Sequence, residues 1–176
     1  MFKKLGPRRS LPSVVTPAKA GAQFLALALL LASCGFQLRG DPAVGIKTLF
    51  VPGAGVAQEI RRTLASGPTR VVATAPEAEA HLRIIAEVRD KSIHTITGTG
   101  RVYEFELRLA VRYELLVPGR EVPVIAPVEA TARRTITYSE AAPIAKEAEE
   151  LLLFKDMQTE IADRILRQVA IARRDM

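Results

Sequence analysis

The chain of 176 residues holds one thiol, two imidazoles and a run of strand-borne carboxylates and guanidinium groups. Those are the side chains whose types and spacing could do chemistry. His81 and His94 have no cysteine or carboxylate at metal-ligand spacing, so they do not make a zinc-type site. Gly98-Thr99-Gly100 has two glycines of a phosphate loop but no helix pattern after it, so it reads as a hairpin turn. No Gly-x-Ser-x-Gly elbow occurs. Glu104, Glu106 and Glu114 alternate with Arg108 and Arg112 along one strand, and no two carboxylates stand apart as an acid and a base. Enzymatic activity is not expected. Two readings of the charged strand face remain. One is cross-strand pairing, worth a few tenths of a kcal/mol per pair. The other is bidentate capture of phosphate, as on a lipid bearing phosphorylated sugars.

The thiol is a different matter. Cys34 follows Phe24-Leu-Ala-Leu-Ala-Leu-Leu-Leu-Ala-Ser33, an apolar run ending in small side chains. Upstream lie Lys3, Lys4, Arg8, Arg9 and Lys19, with no acidic residue before Asp41. A basic stretch, a short apolar core and a small-residue exit make a secretory signal peptide. The run is too short to span a bilayer, which takes about 20 apolar residues. Leu31-Ala32-Ser33-Cys34 resembles a bacterial lipobox. That implies cleavage before Cys34, a diacylglycerol thioether on its sulfur and an acyl chain, such as palmitate, on the new amine. The alternative is an ordinary export signal with an incidental cysteine. Residues 1–33 are therefore expected to be removed and 34–176 to form one lipid-anchored domain. A lone cysteine forms no internal disulfide, so that domain depends on its core. Two or more acyl chains anchor stably, whereas one binds only marginally.

Removing the leader also removes most of the charge. The full chain has a formal charge of +6, but residues 34–176 hold 20 Lys and Arg against 19 Asp and Glu. Nothing in that balance argues for a nucleic-acid partner.

These residues must be carried by a small set of elements. A β-rich run at 46–51 ends at Pro52-Gly53, and Val56, Ile60 and Leu64 recur at helical spacing. Residues 70–73 form a weak strand candidate. Leu82, Ile84, Ala86 and Val88 alternate with Arg83, Glu87 and Arg89, although Ile85 breaks the pattern. Tyr103, Phe105, Leu107, Leu109, Val111, Tyr113, Leu115 and Val117 keep a strict period of two, which is a long strand with one buried face. A third alternation runs over 128–138, with Arg134 as the one charge on its apolar side. Gly98–Gly100 and Pro118-Gly119 read as the joining turns. Phe154, Met157, Ile161, Ile165, Val169 and Ala172 then mark a final helix over 143–173, with Ser139 as cap and Pro143 in the first turn. The expected fold is α+β: an antiparallel or mixed sheet of about four long strands with two helices on one face.

Cys34-Gly35-Phe36-Gln37-Leu38-Arg39-Gly40 resembles the mature opening of the lipopolysaccharide-assembly lipoprotein family LptE, also called RlpB. Leu116-Val117-Pro118-Gly119-Arg120-Glu121 resembles that family's turn between two long strands. The resemblance implies an outer-membrane lipoprotein with no cofactor beyond its acyl chains. It implies a partner, the β-barrel LptD, in whose lumen the protein sits as a plug and assembly factor. It also implies binding of lipopolysaccharide during transport to the cell surface. Gly35 after the cysteine favours the outer over the inner membrane. Lys146 falls where the family has a basic residue associated with lipopolysaccharide. Near the 98–100 loop relatives can carry an arginine before the glycine; here that position is Gly98, and Arg101 is the nearest cation. The competing reading is a periplasm-facing lipoprotein adaptor that binds lipid or peptidoglycan independently of a barrel.

Overall fold

A computed structural model describes residues 44–138 and 143–176. Cys34, the leader and Ser139 lie outside the described residues. In chain order the elements are β1 (Thr48–Phe50), α1 (Val56–Leu64), β2 (Arg70–Val72), a 3-10 turn (Ala75–Glu77), β3 (Ala80–Ile96), β4 (Val102–Leu116), β5 (Ile125–Thr137), α2 (Pro143–Ala172) and a second 3-10 turn (Arg173–Asp175). They form one sheet in the order β2-β1-β3-β4-β5. β1 lies parallel to β2 and β3, while β3, β4 and β5 form an antiparallel meander.

The α+β class, both helices and every expected strand are present. The sheet has three long strands and two short ones, where about four long strands were expected. The short ones follow from local chemistry. Pro52 and Gly53 end the 46–51 run after a three-residue ladder, because proline cannot donate to a neighbouring strand. Parallel pairing of β1 with β2 needs a crossover, and α1 is that crossover.

The core is the apolar face of β4 closed by the helices. Leu107, Leu109, Val111, Tyr113 and Leu115 are buried, as the strict alternation requires. Val56, Ile60 and Leu64 of α1 and Met157, Ile161, Ile165 and Val169 of α2 complete the same cluster. Each such side chain contributes about 1.5–3 kcal/mol by leaving water.

β3 departs from its expected phase. Ile84 pairs with Tyr113 and Ala86 with Arg112, so Ile85 is an extra residue, a β-bulge. Before the bulge, Leu82 lies opposite Leu115 on the helix-facing side. Beyond it, Glu87, Arg89 and Lys91 lie opposite Val111, Leu109 and Leu107, and therefore share the helix-facing side. Val88 is turned outward and is 56% exposed. The expected grouping of Ala86 and Val88 with Leu82 and Ile84 is thus corrected, because one inserted residue flips every later side chain.

Glu87 uses that position to join three elements. The Val56 N–H at the start of α1 donates to Glu87 Oε2 at 2.8 Å, and Gln158 Nε2 of α2 donates to Oε1 at 2.7 Å. Gly55 precedes α1 at φ +60°, and a Cβ there would overlap the Glu87 carboxylate. No side chain of the preceding residue caps α1, so the cap comes from across the sheet.

Ile161→Ala is expected to cost about 2–5 kcal/mol of unfolding free energy in urea titration. Leu152→Ala, on the exposed side of the same helix, is expected to stay within about 0.5 kcal/mol. Equal losses at the two sites would contradict the core assignment.

Candidate functional site

At its far end the sheet runs out past the start of α2. There β3 and β4 meet in the 97–101 turn. The Thr97 N–H donates to the Arg101 carbonyl at 2.7 Å, and Gly100 takes φ +79° in open space. The Arg101 N–H donates to Thr97 Oγ1 at 3.1 Å. Arg101 thus closes the hairpin with its backbone, at the tip of the sheet.

Just inside the tip, β3, β4, the end of β5 and the first turns of α2 enclose a cavity of about 200 Å³. Its apolar wall is Phe105 and Tyr138, edge-on at 5.7 Å. Its polar wall is Lys91, Lys146, Glu147 and Glu150. Lys91 Nζ lies 4.7 Å from the Phe105 ring centre and 2.5 Å from Glu150 Oε2. Lys146 Nζ donates to Glu149 Oε2 at 2.9 Å. Of the two basic residues singled out by sequence, Lys146 lines this cavity. Arg101 sits at the same end of the molecule, on the hairpin beyond it.

Lys91 was not found from the sequence. Read as regular alternation, it belongs on the same side as Arg89, which was taken as the wet side. The break at Ile85 was the available signal: one skipped residue places Lys91 across from α2. Along the same seam Arg89 lies over the Phe154 ring at 5.4 Å. Arg134 of β5, expected as a charge on the apolar side, is there and reaches Asp156 and Glu160 of α2 at 2.7 and 2.8 Å. Hydrogen bonds to Glu160 and Asp156 push its guanidinium pKa up, against the lowering effect of burial.

The other side of the sheet is the Glu- and Arg-bearing one. Some of its charges are paired across strands: Arg83 with Glu114 and Arg108 with Glu129 at 3.1 Å, while Thr95 donates to Glu104 at 2.9 Å and Arg133 stands opposite Arg108. Between them Val88, Ala110 and Thr131 lie side by side on three strands.

His81 is a structural residue. Its Nε2 lies 2.8 Å from the Ala75 carbonyl and its ring meets Phe50 edge-on at 5.7 Å. Among the described residues no group of three His, Cys, Asp or Glu side chains could hold a metal ion.

Two helices cover one side of the sheet, and an aromatic-walled recess holding two lysines among glutamates lies at one end. The chain belongs to the lipopolysaccharide-assembly family LptE, whose family model matches residues 46–169. This is a family of non-enzymatic lipopolysaccharide-assembly lipoproteins, with no known cofactor. The LPS-assembly lipoprotein LptE of Pectobacterium atrosepticum is 27% identical over 153 residues, covering 82% of each chain. A protein of the same description from Yersinia pestis is 31% identical over 153 residues, covering 82% of this chain and 72% of its own. The solution structure of an uncharacterized lipoprotein B from Nitrosomonas europaea matches with a TM-score of 0.66 at 31% identity, over 77% of this chain and 90% of that one. The crystal structure of the rare lipoprotein B from Shewanella oneidensis matches with a TM-score of 0.63 at 26% identity, over 73% and 97% of the two chains.

Among the described residues Lys146 pairs with Glu149 of its own helix, so Lys146→Gln is expected to change unfolding free energy by less than about 0.5 kcal/mol. A loss of about 2 kcal/mol in urea titration would show that it holds α2 to the sheet instead.

Proposed function

We propose that this protein is anchored in the outer membrane through acyl chains on Cys34 and partners the β-barrel LptD. In this reading it sits in the barrel lumen as plug and assembly factor, and it binds lipopolysaccharide in transit through Arg101 and Lys146. The observation that carries the ligand assignment is the placement of both cations at one end of the domain, with an aromatic-walled recess beside Lys146.

Other features fit the same reading. A barrel lumen is polar, so a plug needs a charged outer surface that does not pull strongly toward either sign. The outer sheet face, with its Arg–Glu pairs, is such a surface. The chain enters the described fold at Val44 and Gly45, where Arg173 at the far end of α2 packs against the Gly45 backbone. Lys146 stands in the first turn of that 30-residue helix, about 45 Å long at 1.5 Å per residue. The first described residues and Lys146 therefore lie at opposite ends of α2.

Two experiments check these assignments. Mass spectrometry of the protein from membranes is expected to find a triacylated Cys34, and Cys34→Ser is expected to leave the leader uncut; an unmodified cysteine would overturn the anchor. Arg101→Glu with Lys146→Glu is expected to weaken lipopolysaccharide binding at least tenfold, about 1.4 kcal/mol, while circular dichroism stays that of the wild type. Unchanged binding would remove these residues from the site.

A further inference from the structure

We infer that Lys91 is a second ligand-binding cation, which with Lys146 clasps one phosphate group of the lipid in the recess between β3 and α2. This inference rests on the lipopolysaccharide reading of the Lys146 end and names the chemical group held there.

The recess is built from two sides. Lys91 reaches it from β3 because of the bulge at Ile85, and Lys146 reaches it from the first turn of α2. The two ammonium groups therefore approach from different elements, the arrangement that can close on one anion. Phe105 and Tyr138 form the adjoining wall and offer apolar surface to the sugar or acyl part of a lipid. The start of α2 adds the positive end of a helix dipole.

Carboxylates occupy the same space, and their strength decides whether an anion can compete. Lys91 is held by Glu150 and Lys146 by Glu149, and Glu147 also lines the recess. Lys91 and Glu150 are 41% and 23% exposed and Lys146 and Glu149 28% and 49%, so these are partly screened pairs worth about 1 kcal/mol each. A phosphate carries up to two charges and can accept from both lysines at once, so it competes with the two pairs together. Glu150 and Glu149 act as resting partners that keep the two ammonium groups in place until phosphate arrives.

This arrangement predicts opposite effects from the two members of one ion pair. The test measures binding of purified lipopolysaccharide, and of the same material stripped of phosphate, to the full chain in detergent. Lys91→Gln is expected to weaken binding of the phosphorylated form about tenfold, one charge-assisted contact, and to leave the dephosphorylated form unaffected. Glu150→Gln is expected to tighten binding of the phosphorylated form about two- to fivefold, since Lys91 loses its competitor. Lys91→Arg should retain binding, and thermal unfolding of each variant should match the wild type. Wild-type affinity in Lys91→Gln alongside weakened binding in Lys146→Glu would overturn the role of Lys91 and leave the lipopolysaccharide site standing. Wild-type affinity in both would overturn the site itself. Weaker binding in Glu150→Gln, with a lowered unfolding midpoint, would make the pair a strut between β3 and α2 and also overturn the inference.

Discussion

One inserted residue, Ile85, sets the arrangement on which the rest of this domain depends. Without it, β3 would turn Ala86 and Val88 toward the helices and Glu87, Arg89 and Lys91 toward solvent. With it, the first part of β3 supplies Leu82 to the core and the second part supplies charges to the helix seam. Glu87 then caps α1 and binds Gln158 of α2, so a crossover helix and the final helix are referred to the same strand residue. The cap falls where the carboxylate also meets the positive end of α1. Gly55 is required at the approach, both for its backbone conformation and for its missing Cβ.

That division gives the domain two kinds of attachment between helix and sheet. Near the base, Leu82, Leu115 and the apolar stripes of α1 and α2 pack into one hydrophobic cluster. Toward the far end the contacts become ionic or cation–aromatic: Arg89 with Phe154, Arg134 with Asp156 and Glu160, and Lys91 with Glu150. Apolar packing is non-directional and strong in sum, whereas exposed ion pairs are individually weak and exchangeable. The exchangeable end is the end that carries Lys146 and Arg101, so apolar packing and exchangeable contacts are placed on different parts of the same sheet.

Much of this is legible in the residues. The alternation of β4, the apolar stripe of α2 and the Pro-Gly turn each carry their own geometry, and the structure follows them. The family match covers 46–169 and lies outside the Cys34 to Gly40 opening, so the folded domain carries the relationship independently of that motif. What was not legible is the phase of β3. Alternation shows that a strand has two faces, but a bulge decides which face is which beyond it. Ile85 marked the break without indicating whether the strand skipped a residue or simply bore an exposed isoleucine. The recess depended on that choice, so Lys146 was visible in the sequence and Lys91 was not.

In the proposed function the outer face of the sheet lies against the wall of a β-barrel. Val88, outward and exposed at the middle of that face, is the place to ask. A photoreactive amino acid at position 88, in the protein expressed in its own membrane, should on irradiation join it to one large outer-membrane β-barrel identified by mass spectrometry. A protein that migrates alone after irradiation, and is extracted by mild detergent without any barrel, would contradict the account.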